Sequence, residues 1–230
     1  MKKIVVFTGA GISAESGIKT FRDSGGLWEE YDIMKVATPE AWHENPEIVL
    51  DFYNKRRKQV IEANPNQAHL ALVKLEEKYE VQIITQNIDD LHERAGSKNI
   101  LHLHGEIKKS RSSVDPSLVY PIEGWELNSG DKCEKGSQLR PHIVWFGEEV
   151  VNMDKAFMLA SKADVFIIVG TSLNVYPAAS LIHHTSENIP MYLIDPNAKS
   201  IDQIPNLSII KEKAGMGVSG LVQKLISKAI

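Results

Sequence analysis

Short apolar segments alternate with amphipathic helical patterns along the chain, and this alternation constrains the fold more than any other feature of the sequence. Uninterrupted apolar runs of this kind are typical of strands that are buried on both faces of a parallel sheet. Such runs occur at residues 4–7, 81–85, 143–146, 165–169 and 191–194. Helical patterns occur at residues 65–79, 154–162, 177–187 and 218–230. The order predicts an α/β fold with a Rossmann-like, doubly wound parallel sheet.

Two stretches interrupt the alternation and predict a small second domain. Residues 30–63 carry helical patterns without a strand, and Asn45-Pro46 is a cap and first-turn signal for a helix over residues 46–63. Residues 107–141 are polar, with few apolar residues to anchor them. We therefore expect residues 1–230 to form one unit in which both parts are built from separate segments. The Rossmann-like part takes residues 1–29, 64–106 and 142–230, and the small domain takes residues 30–63 and 107–141.

The charge balance and the cysteine count limit the classes of partner. With 26 Lys and Arg against 30 Asp and Glu, the net charge is −4, so no basic surface for nucleic acid is expected. The apolar run after Lys2 and Lys3 is too short for a signal peptide, and no later run approaches the ~18 residues of a membrane span. Cys133 is the only cysteine, which suits a reducing compartment. We expect a cytoplasmic monomer without nucleic-acid or membrane partners.

The first apolar run ends in a glycine-rich loop. Gly9 and Gly11 lack side chains where the backbone must turn tightly or approach a ligand, and a helix beginning near Ser13 could hold an anion at its N-terminus. The spacing Gly9-x-Gly11-x-x-Ala14 is a loose dinucleotide-binding fingerprint, but it also suits a tight turn from a strand into a helix. This stretch alone leaves both interpretations open.

Polar residues follow the predicted strands at their carboxyl ends, where ligands bind in open α/β sheets. These residues are Gln86, Asn87, Asp89, His104, Thr171, Ser172 and Asp195. Taken singly, each has a structural alternative, because Asn, Asp, Thr and Ser cap helices and a lone His is more often structural than catalytic. Together they predict one crevice that is shared with the glycine loop.

The motifs of these loops resemble the sirtuin family of NAD-dependent protein-lysine deacylases. They run in family order: Gly9-Ala-Gly-Ile-Ser-Ala14, Phe21-Arg22, Thr85-Gln-Asn-Ile-Asp89, His104-Gly105, Phe146-Gly147-Glu148 and Gly170-Thr-Ser172. The resemblance implies that residues 8–28 wrap the NAD pyrophosphate and cover the nicotinamide ribose, with Phe21 shielding the reacting carbon from water.

The resemblance also implies a mechanism. The acyl-lysine carbonyl oxygen attacks C1′ of the nicotinamide ribose, nicotinamide leaves, and the products are deacylated lysine and O-acyl-ADP-ribose. His104 is then the general base, since imidazole titrates near working pH, while Asn87 and Asp89 orient the ribose and the nicotinamide amide. The implied NAD-binding residues are Gly9, Ala10, Gly11, Ser13, Ala14, Phe21, Arg22, Trp28, Gln86, Asn87, Ile88, Asp89, His104, Gly170, Thr171, Ser172, Asp195, Pro196, Asn197 and Ala214.

The predicted helix over residues 46–63 carries residues that indicate which acyl group the chain removes. Val49, Phe52, Arg56 and Val60 recur at steps of three and four, so Arg56 lies on an inward-facing apolar stripe and needs an anion. An internal salt bridge would supply one. Tyr53-x-x-Arg56 with Ala37, however, resembles the sirtuin subclass that removes succinyl and malonyl groups, because a Tyr hydroxyl and an Arg fork suit a terminal carboxylate. The implied substrate-binding residues are Ala37, Tyr53, Arg56, Phe146, Gly147, Glu148 and Val175, and the implied partners are acylated-lysine proteins.

The largest departure from the family lies in residues 107–141. Sirtuins commonly bind a structural zinc there through two Cys-x-x-Cys pairs, whereas this chain has only Cys133. We therefore predict no metal. Two other classes remain as alternatives. A sirtuin-like mono-ADP-ribosyltransferase would typically lack His104, and a non-catalytic NAD-binding sensor would have a blocked acyl-lysine groove, against which the intact Phe146-Gly-Glu motif argues.

Overall fold

The strands form two sheets. A computed structural model describes residues 1–19, 32–173, 175–199, 204 and 206–227. The strands in these ranges are β1 (Lys3–Thr8), β2 (Glu80–Thr85), β3 (Ile100–His102), β4 (Gly105–Ser112), β5 (Val119–Pro121), β6 (Leu139–Ile143), β7 (Val165–Val169), β8 (Met191–Ile194) and β9 (Leu207–Ile210). Six of them pair in parallel in the order β3-β2-β1-β7-β8-β9, and the other three form an antiparallel sheet in the order β5-β4-β6.

The helices begin where the sequence supplies caps. They are α1 (Pro39–Glu44), α2 (Pro46–Glu62), α3 (Gln67–Leu75), α4 (Leu91–Ala95), α5 (Met153–Ser161) and α6 (Ala214–Ser227). The Asn45 side chain accepts from Ile48 N at the start of α2, and Asn66 forms a capping box with His69 at the start of α3. Within the described ranges, no helix combines the length and apolarity that crossing a bilayer requires.

Apolar side chains cover both faces of the parallel sheet. On one face, Val6 belongs to a cluster with Leu72 of α3 and Leu221 of α6. On the other face, Phe7 belongs to a cluster with residues of α5 and with Leu181. Because neighbouring residues of β1 are buried on opposite faces, this strand has an uninterrupted apolar sequence. The parallel architecture predicted from the sequence is confirmed.

A third apolar cluster joins α1 and α2 to the antiparallel sheet. Phe52 and Val60 of α2 share this cluster with Ile107 of β4, Ile143 of β6 and Trp145. Most of its members come from the segments that interrupt the strand and helix alternation, and Ile18, Leu91, Ile143 and Trp145 join them from outside those segments. The cluster brings residues of α2 close to the loops at the carboxyl ends of the parallel strands, and this closeness matters for the candidate site.

Two polar side chains of α2 tie the loop after β5 to this cluster. Asn54 Oδ1 accepts from Leu127 N at 2.9 Å, and Asn54 Nδ2 donates to Leu127 O at 3.1 Å. Arg57 is fully buried and donates to Ile107 O at 2.6 Å, to Asn54 Oδ1 at 2.7 Å and to Trp125 O at 2.8 Å. Burial lowers the pKa of Arg57 to about 10, so the side chain is a cation at neutral pH. These bonds anchor a polar segment that has few apolar residues of its own.

One predicted strand of the parallel sheet is wrong. The apolar run at residues 143–146 does not enter that sheet; β6 ends at Ile143, which pairs antiparallel with Gly105 of β4. Beyond this point, Val144 N donates to His104 O, and Phe146 N donates to Ala37 O. Trp145 is buried whereas Phe146 is 47% exposed, so the run alternates between two environments, although all of its residues are apolar.

Two further local predictions differ from the structure, and the edge strand of the parallel sheet was missed. Two 3-10 turns, Ala10–Ile12 and Ala14–Ser16, replace the helix predicted to begin near Ser13. A 3-10 segment, Ala178–His184, stands where a helix over residues 177–187 was expected. The edge strand β9 was not predicted, because Ser208 interrupts its apolar residues and is exposed, while the other three residues are only partly buried.

Candidate active site

The loops after β1 and β7 touch through their glycines. Gly9 N donates to Val169 O at 3.0 Å, and Gly11 N donates to Gly170 O at 2.9 Å. A Cβ at Gly11 would lie 2.6 Å from Gly170 Cα, and Gly170 has a φ of +62°, which disfavours other residues. The two loops therefore need glycine for their close contact with each other. Ala10 and Ala14 begin the two 3-10 turns that follow.

The loop after β2 carries the most buried polar cluster of the crevice. Ser13 Oγ donates to Asp89 Oδ2 at 3.0 Å and accepts from Asn87 Nδ2 at 3.2 Å. All three side chains are buried. The loop is further held by the Asn87 N to Thr85 Oγ1 bond and by the Leu91 N to Asp89 Oδ1 bond. The glycine loop and the loop after β2, which lie more than 70 residues apart in sequence, thus form one hydrogen-bonded unit.

Asp89 is the acidic group of this unit. Burial raises the pKa of Asp89 above its ordinary value, while the hydrogen bonds from Leu91 N and Ser13 and the positive charge of Arg56 oppose the rise. A carboxylate in such a setting can accept hydrogen bonds from a polar ligand more strongly than an exposed one, because water competes less. Ile88 lies between Asn87 and Asp89, and its carbonyl accepts from Ile107 N.

His104 lies between β3 and β4, and its ring has a defined tautomer. Its Nδ1 lies 3.0 Å from Gln86 O, and because a carbonyl can only accept, Nδ1 carries the hydrogen. In the neutral ring, Nε2 is therefore unprotonated. Burial lowers the pKa of His104 below its ordinary value, because the effect of burial is larger than the opposing effect of the Gln86 hydrogen bond. His104 is consequently a neutral base at physiological pH, with Nε2 as its basic atom.

A side-chain hydrogen bond joins the loops after β2 and β7. Gln86 Nε2 donates to Thr171 Oγ1 at 3.1 Å, so the loops after β2 and β7 also meet. Among the described residues, no backbone acceptor binds the N–H groups of Thr171 and Ser172. Backbone N–H donors beside glycines suit the phosphates of a nucleotide. Larger side chains at the glycine positions would prevent the phosphates from approaching these donors.

The other predicted NAD-binding residues lie at the far end of the sheet or outside the described ranges. Gly170 N donates to Ile194 O, which connects the crevice to the end of β8. Asp195 Oδ1 accepts from Asn197 N at 2.7 Å, and Pro196 and Asn197 are exposed. Ala214 begins α6 and is buried in the first apolar cluster. Outside the described residues lie Phe21, Arg22 and Trp28.

The predicted acyl-binding residues meet in the third apolar cluster. Tyr53 is 2% exposed, and its hydroxyl accepts from Trp145 Nε1 at 3.1 Å. Burial raises the pKa of Tyr53, so the hydroxyl keeps its proton and can still donate it. Ala37 is buried in the same cluster. The guanidinium of Arg140 lies over the Trp145 ring, 3.3 Å from its centroid, and fixes the indole.

Arg56 is the least satisfied cation of the site. It is 6% exposed, and its Nη2 donates to Lys19 O at 3.1 Å. Nε and Nη1 of Arg56 find no hydrogen-bond partner among the described residues, and no carboxylate of these residues forms an ion pair with it. Burial lowers the pKa of Arg56, and the Asp89 carboxylate opposes this shift. The internal salt bridge that the sequence left open is not found in the part of the chain that the structure describes.

The predicted peptide-contacting residues differ in exposure. Phe146 is 47% exposed and Val175 is 40% exposed, and Gly147 follows Phe146 with a φ of +91°. Glu148 points away from solvent: it accepts from Arg140, from Arg111 at 3.0 Å and from Trp145 N at 2.8 Å. Burial raises the pKa of Glu148, but its Arg140 and Trp145 hydrogen bonds bring the pKa below its ordinary value. Glu148 thus anchors the loop after β6.

Comparison with known proteins identifies the family. The sequence model of the Sir2 family matches residues 9–177, which include the glycine loop, the loop after β2 and His104. The chain belongs to the Sir2 family, the sirtuins. The sirtuin resemblance predicted from the motifs is thereby confirmed.

The similarity to known proteins covers nearly the whole length of this sirtuin. A Helicobacter pylori protein named NAD-dependent protein deacylase is 56% identical over 229 residues, covering 100% of this chain and 97% of its own length. A Bacteroides thetaiotaomicron protein of the same name is 50% identical over 231 residues, covering 98% of this chain and 99% of its own length. A crystal structure described as a Sir2 homolog–NAD complex has a TM-score of 0.89 and 40% identity, covering 98% of this chain and 90% of its own.

Several residues of the site escaped the sequence analysis. Glu15 accepts from Gly215 N at 2.7 Å and so binds the first turn of α6 to the glycine loop. Trp145 and Arg140 orient Tyr53, and His102 contacts the backbone of Asn87. A carboxylate at a helix N-terminus is favourable, but the 200 residues between Glu15 and Gly215 leave no local signal for the contact.

Proposed function

We propose that this sirtuin catalyses NAD-dependent removal of acyl groups from protein lysines. The observation that carries the proposal is the buried unit of Ser13, Asn87 and Asp89 beside His104, whose basic Nε2 is set by the Nδ1 to Gln86 O bond. Its relatives at 50–56% identity are named NAD-dependent protein deacylase. Protein substrates follow from that activity.

The residues of the crevice suit NAD. Backbone N–H groups of Thr171 and Ser172, beside Gly9, Gly11 and Gly170, would hold the pyrophosphate, which is acceptor-only. NAD, when bound, supplies an electrophilic ribose carbon from which nicotinamide can leave. Asp195 and the exposed residues after it are proposed to contact the adenosine ribose, where a carboxylate accepts from hydroxyls.

The catalytic roles follow from protonation states. His104 Nε2 takes a proton from a ribose hydroxyl, and Nδ1–H stays on Gln86 O, so the charged ring is stabilised by a fixed acceptor. Asn87 and Asp89 orient hydroxyl and amide groups of the substrate, because Ser13 locks both side chains in place. Closing of the crevice by the Gln86 to Thr171 bond helps to exclude water.

The acyl subsite favours a carboxylate-bearing acyl group. Arg56 offers two donors, Nε and Nη1, that have no partner among the described residues, and Tyr53 offers the proton of a hydroxyl whose lone pair accepts from Trp145. A succinyl or malonyl group presents a carboxylate that can satisfy these donors, whereas an acetyl group presents none. The peptide backbone would lie along Phe146 and Val175, as an added strand between two loops.

A panel of lysine peptides tests the activity. We expect peptides carrying succinyl, malonyl or acetyl groups to lose the group only when NAD is present, with O-acyl-ADP-ribose as the co-product in mass spectrometry. Unmodified peptide is the control. Mass gain on the peptide or the protein by one ADP-ribose, without deacylation, would indicate a mono-ADP-ribosyltransferase. Binding of NAD without turnover of any peptide would indicate a sensor.

We also propose that the antiparallel module needs no zinc. Cys133 Sγ lies 3.4 Å from Ser112 Oγ and 3.2 Å from Ser137 Oγ, and hydroxyls are not the ligands that structural zinc uses. None of the described residues belong to a group of three or more metal-ligating side chains. Chelator treatment is therefore expected to leave kcat and Tm unchanged, measured by peptide turnover and calorimetry. Stoichiometric zinc in chelator-washed protein would contradict this.

A further inference from the structure

His102 ends β3, and both of its ring nitrogens face hydrogen-bond acceptors. Nδ1 lies 3.2 Å from the carbonyl oxygen of Asn87, and Nε2 lies 2.7 Å from Glu93 Oε1 on α4. The side chain is 11% exposed. Neither a carbonyl nor a carboxylate oxygen can donate, so the two contacts together require a hydrogen on each nitrogen, which is the imidazolium form.

The surroundings of His102 favour this charge. Glu93 faces it from α4 and Glu106 from β4, and Asp89 lies close enough for the charge of His102 to lower the Asp89 pKa. His92 of α4 is the neighbouring titratable base; it is neutral, because burial lowers its pKa well below the ordinary value. Burial also lowers the pKa of His102, but the Glu93 hydrogen bond and charge outweigh it, and the resulting pKa lies above 6.5.

The backbone of Asn87 is held from two sides. Its N–H donates to Thr85 Oγ1 at 3.0 Å, and its carbonyl accepts from His102. These two bonds fix the peptide planes on either side of the Asn87 Cα, and they leave the side chain to bond Ser13. We propose that His102, held as an imidazolium by Glu93, is a positioning residue that orients Asn87 for catalysis.

Loss of the proton from His102 undoes this arrangement. The neutral ring keeps one N–H, which stays on Nε2 because the Glu93 carboxylate is the stronger acceptor. The lone pair of Nδ1 then faces the carbonyl oxygen of Asn87, and the attraction between them becomes a repulsion. Activity therefore falls as the pH rises through the raised pKa of His102, whereas the His104 base loses activity only as the pH falls. The inference rests on the proposed deacylase function.

Two variants separate the two contacts. In His102→Asn, the side-chain amide nitrogen takes the place of Nδ1, so the bond to Asn87 O is kept without a titrating group. In His102→Gln, the amide nitrogen takes the place of Nε2, so only the Glu93 contact is kept. We expect kcat/KM for NAD to fall by about tenfold or more in the Gln variant and by less than threefold in the Asn variant. The alkaline decline of the wild type should be absent from the Asn variant.

The protonation state of His102 can also be measured directly, without enzyme turnover. In ¹⁵N-histidine NMR spectra, His102 of the wild type should carry hydrogen on both nitrogens at pH 6.5, and Glu93→Gln should lower its pKa. A neutral His102 at pH 6.5, or equal losses in the Asn and Gln variants, would overturn the inference. Absence of NAD-dependent turnover in the wild type, with His102 charged in the spectra, would overturn the proposed function instead, and the positioning role of His102 with it.

Discussion

Replacing His104 with alanine is expected to lower kcat for deacylation by roughly 100-fold or more, the usual effect of losing a general base. The reason is local, since Nε2 of His104 is the basic atom in the turn between β3 and β4 and the Nδ1 to Gln86 O bond holds the ring in one tautomer. The dissociation constant for NAD should stay within about tenfold, because the glycine loops and the Ser13 cluster are unchanged. Calorimetric titration of NAD and peptide turnover measure the two quantities separately.

The pH dependence of kcat/KM and a control variant, His43→Ala, test the role of His104 further. Burial lowers the pKa of His104, so the wild-type kcat/KM should begin to fall with decreasing pH only below about 6.5, the ordinary histidine value. His43→Ala removes an exposed histidine of α1 and should leave activity within twofold. Deacylation that survives in His104→Ala at near wild-type rate would remove His104 from the role of base.

Replacing Arg56 with methionine is expected to abolish the proposed preference for succinyl peptides. Charge-assisted hydrogen bonds contribute roughly 1.5–3 kcal/mol each, so the ratio of kcat/KM for succinyl over acetyl peptides should fall by at least about tenfold. The change should lie mainly in KM, because the carboxylate is remote from the reacting carbonyl and is bound equally in ground and transition states. Acetyl peptides should be spared or improved, since the variant no longer buries a guanidinium whose Nε and Nη1 lack hydrogen-bond partners among the described residues.

A matched variant on the same helix tests whether the effect is one of net charge. Lys55 is the exposed neighbour of Arg56 and pairs with Asp51. Lys55→Met removes the same charge without touching the subsite, and both peptides should keep their wild-type kcat/KM within twofold. Equal losses on acetyl and succinyl peptides in Arg56→Met would show that Arg56 only supports the fold of α2.

The sequence predicted those elements whose signals are local. The cap at Asn45 followed by Pro46 predicted the start of α2, and the uninterrupted apolar run of β1 predicted a strand buried on both faces. The sirtuin motifs likewise lie in short stretches, and the order of the loops followed from their placement after strands. Errors arose where local patterns are ambiguous, as at residues 143–146, where the apolar run lies at and beyond the end of β6 and only Phe146 of its large side chains is exposed.

Which side chains pair with each other was decided only by the tertiary structure. The apolar spacing of α2 places Arg56 on the inner face, but only the folded chain brings the Lys19 carbonyl to Arg56, and Trp145 to Tyr53, while no carboxylate among the described residues pairs with Arg56. The charge of His102 likewise follows from Glu93 and Asn87, which approach it from two different elements. Periodicity and capping involve residues a few positions apart, whereas these contacts join residues 9 to 92 positions apart, so only the folded chain determines them.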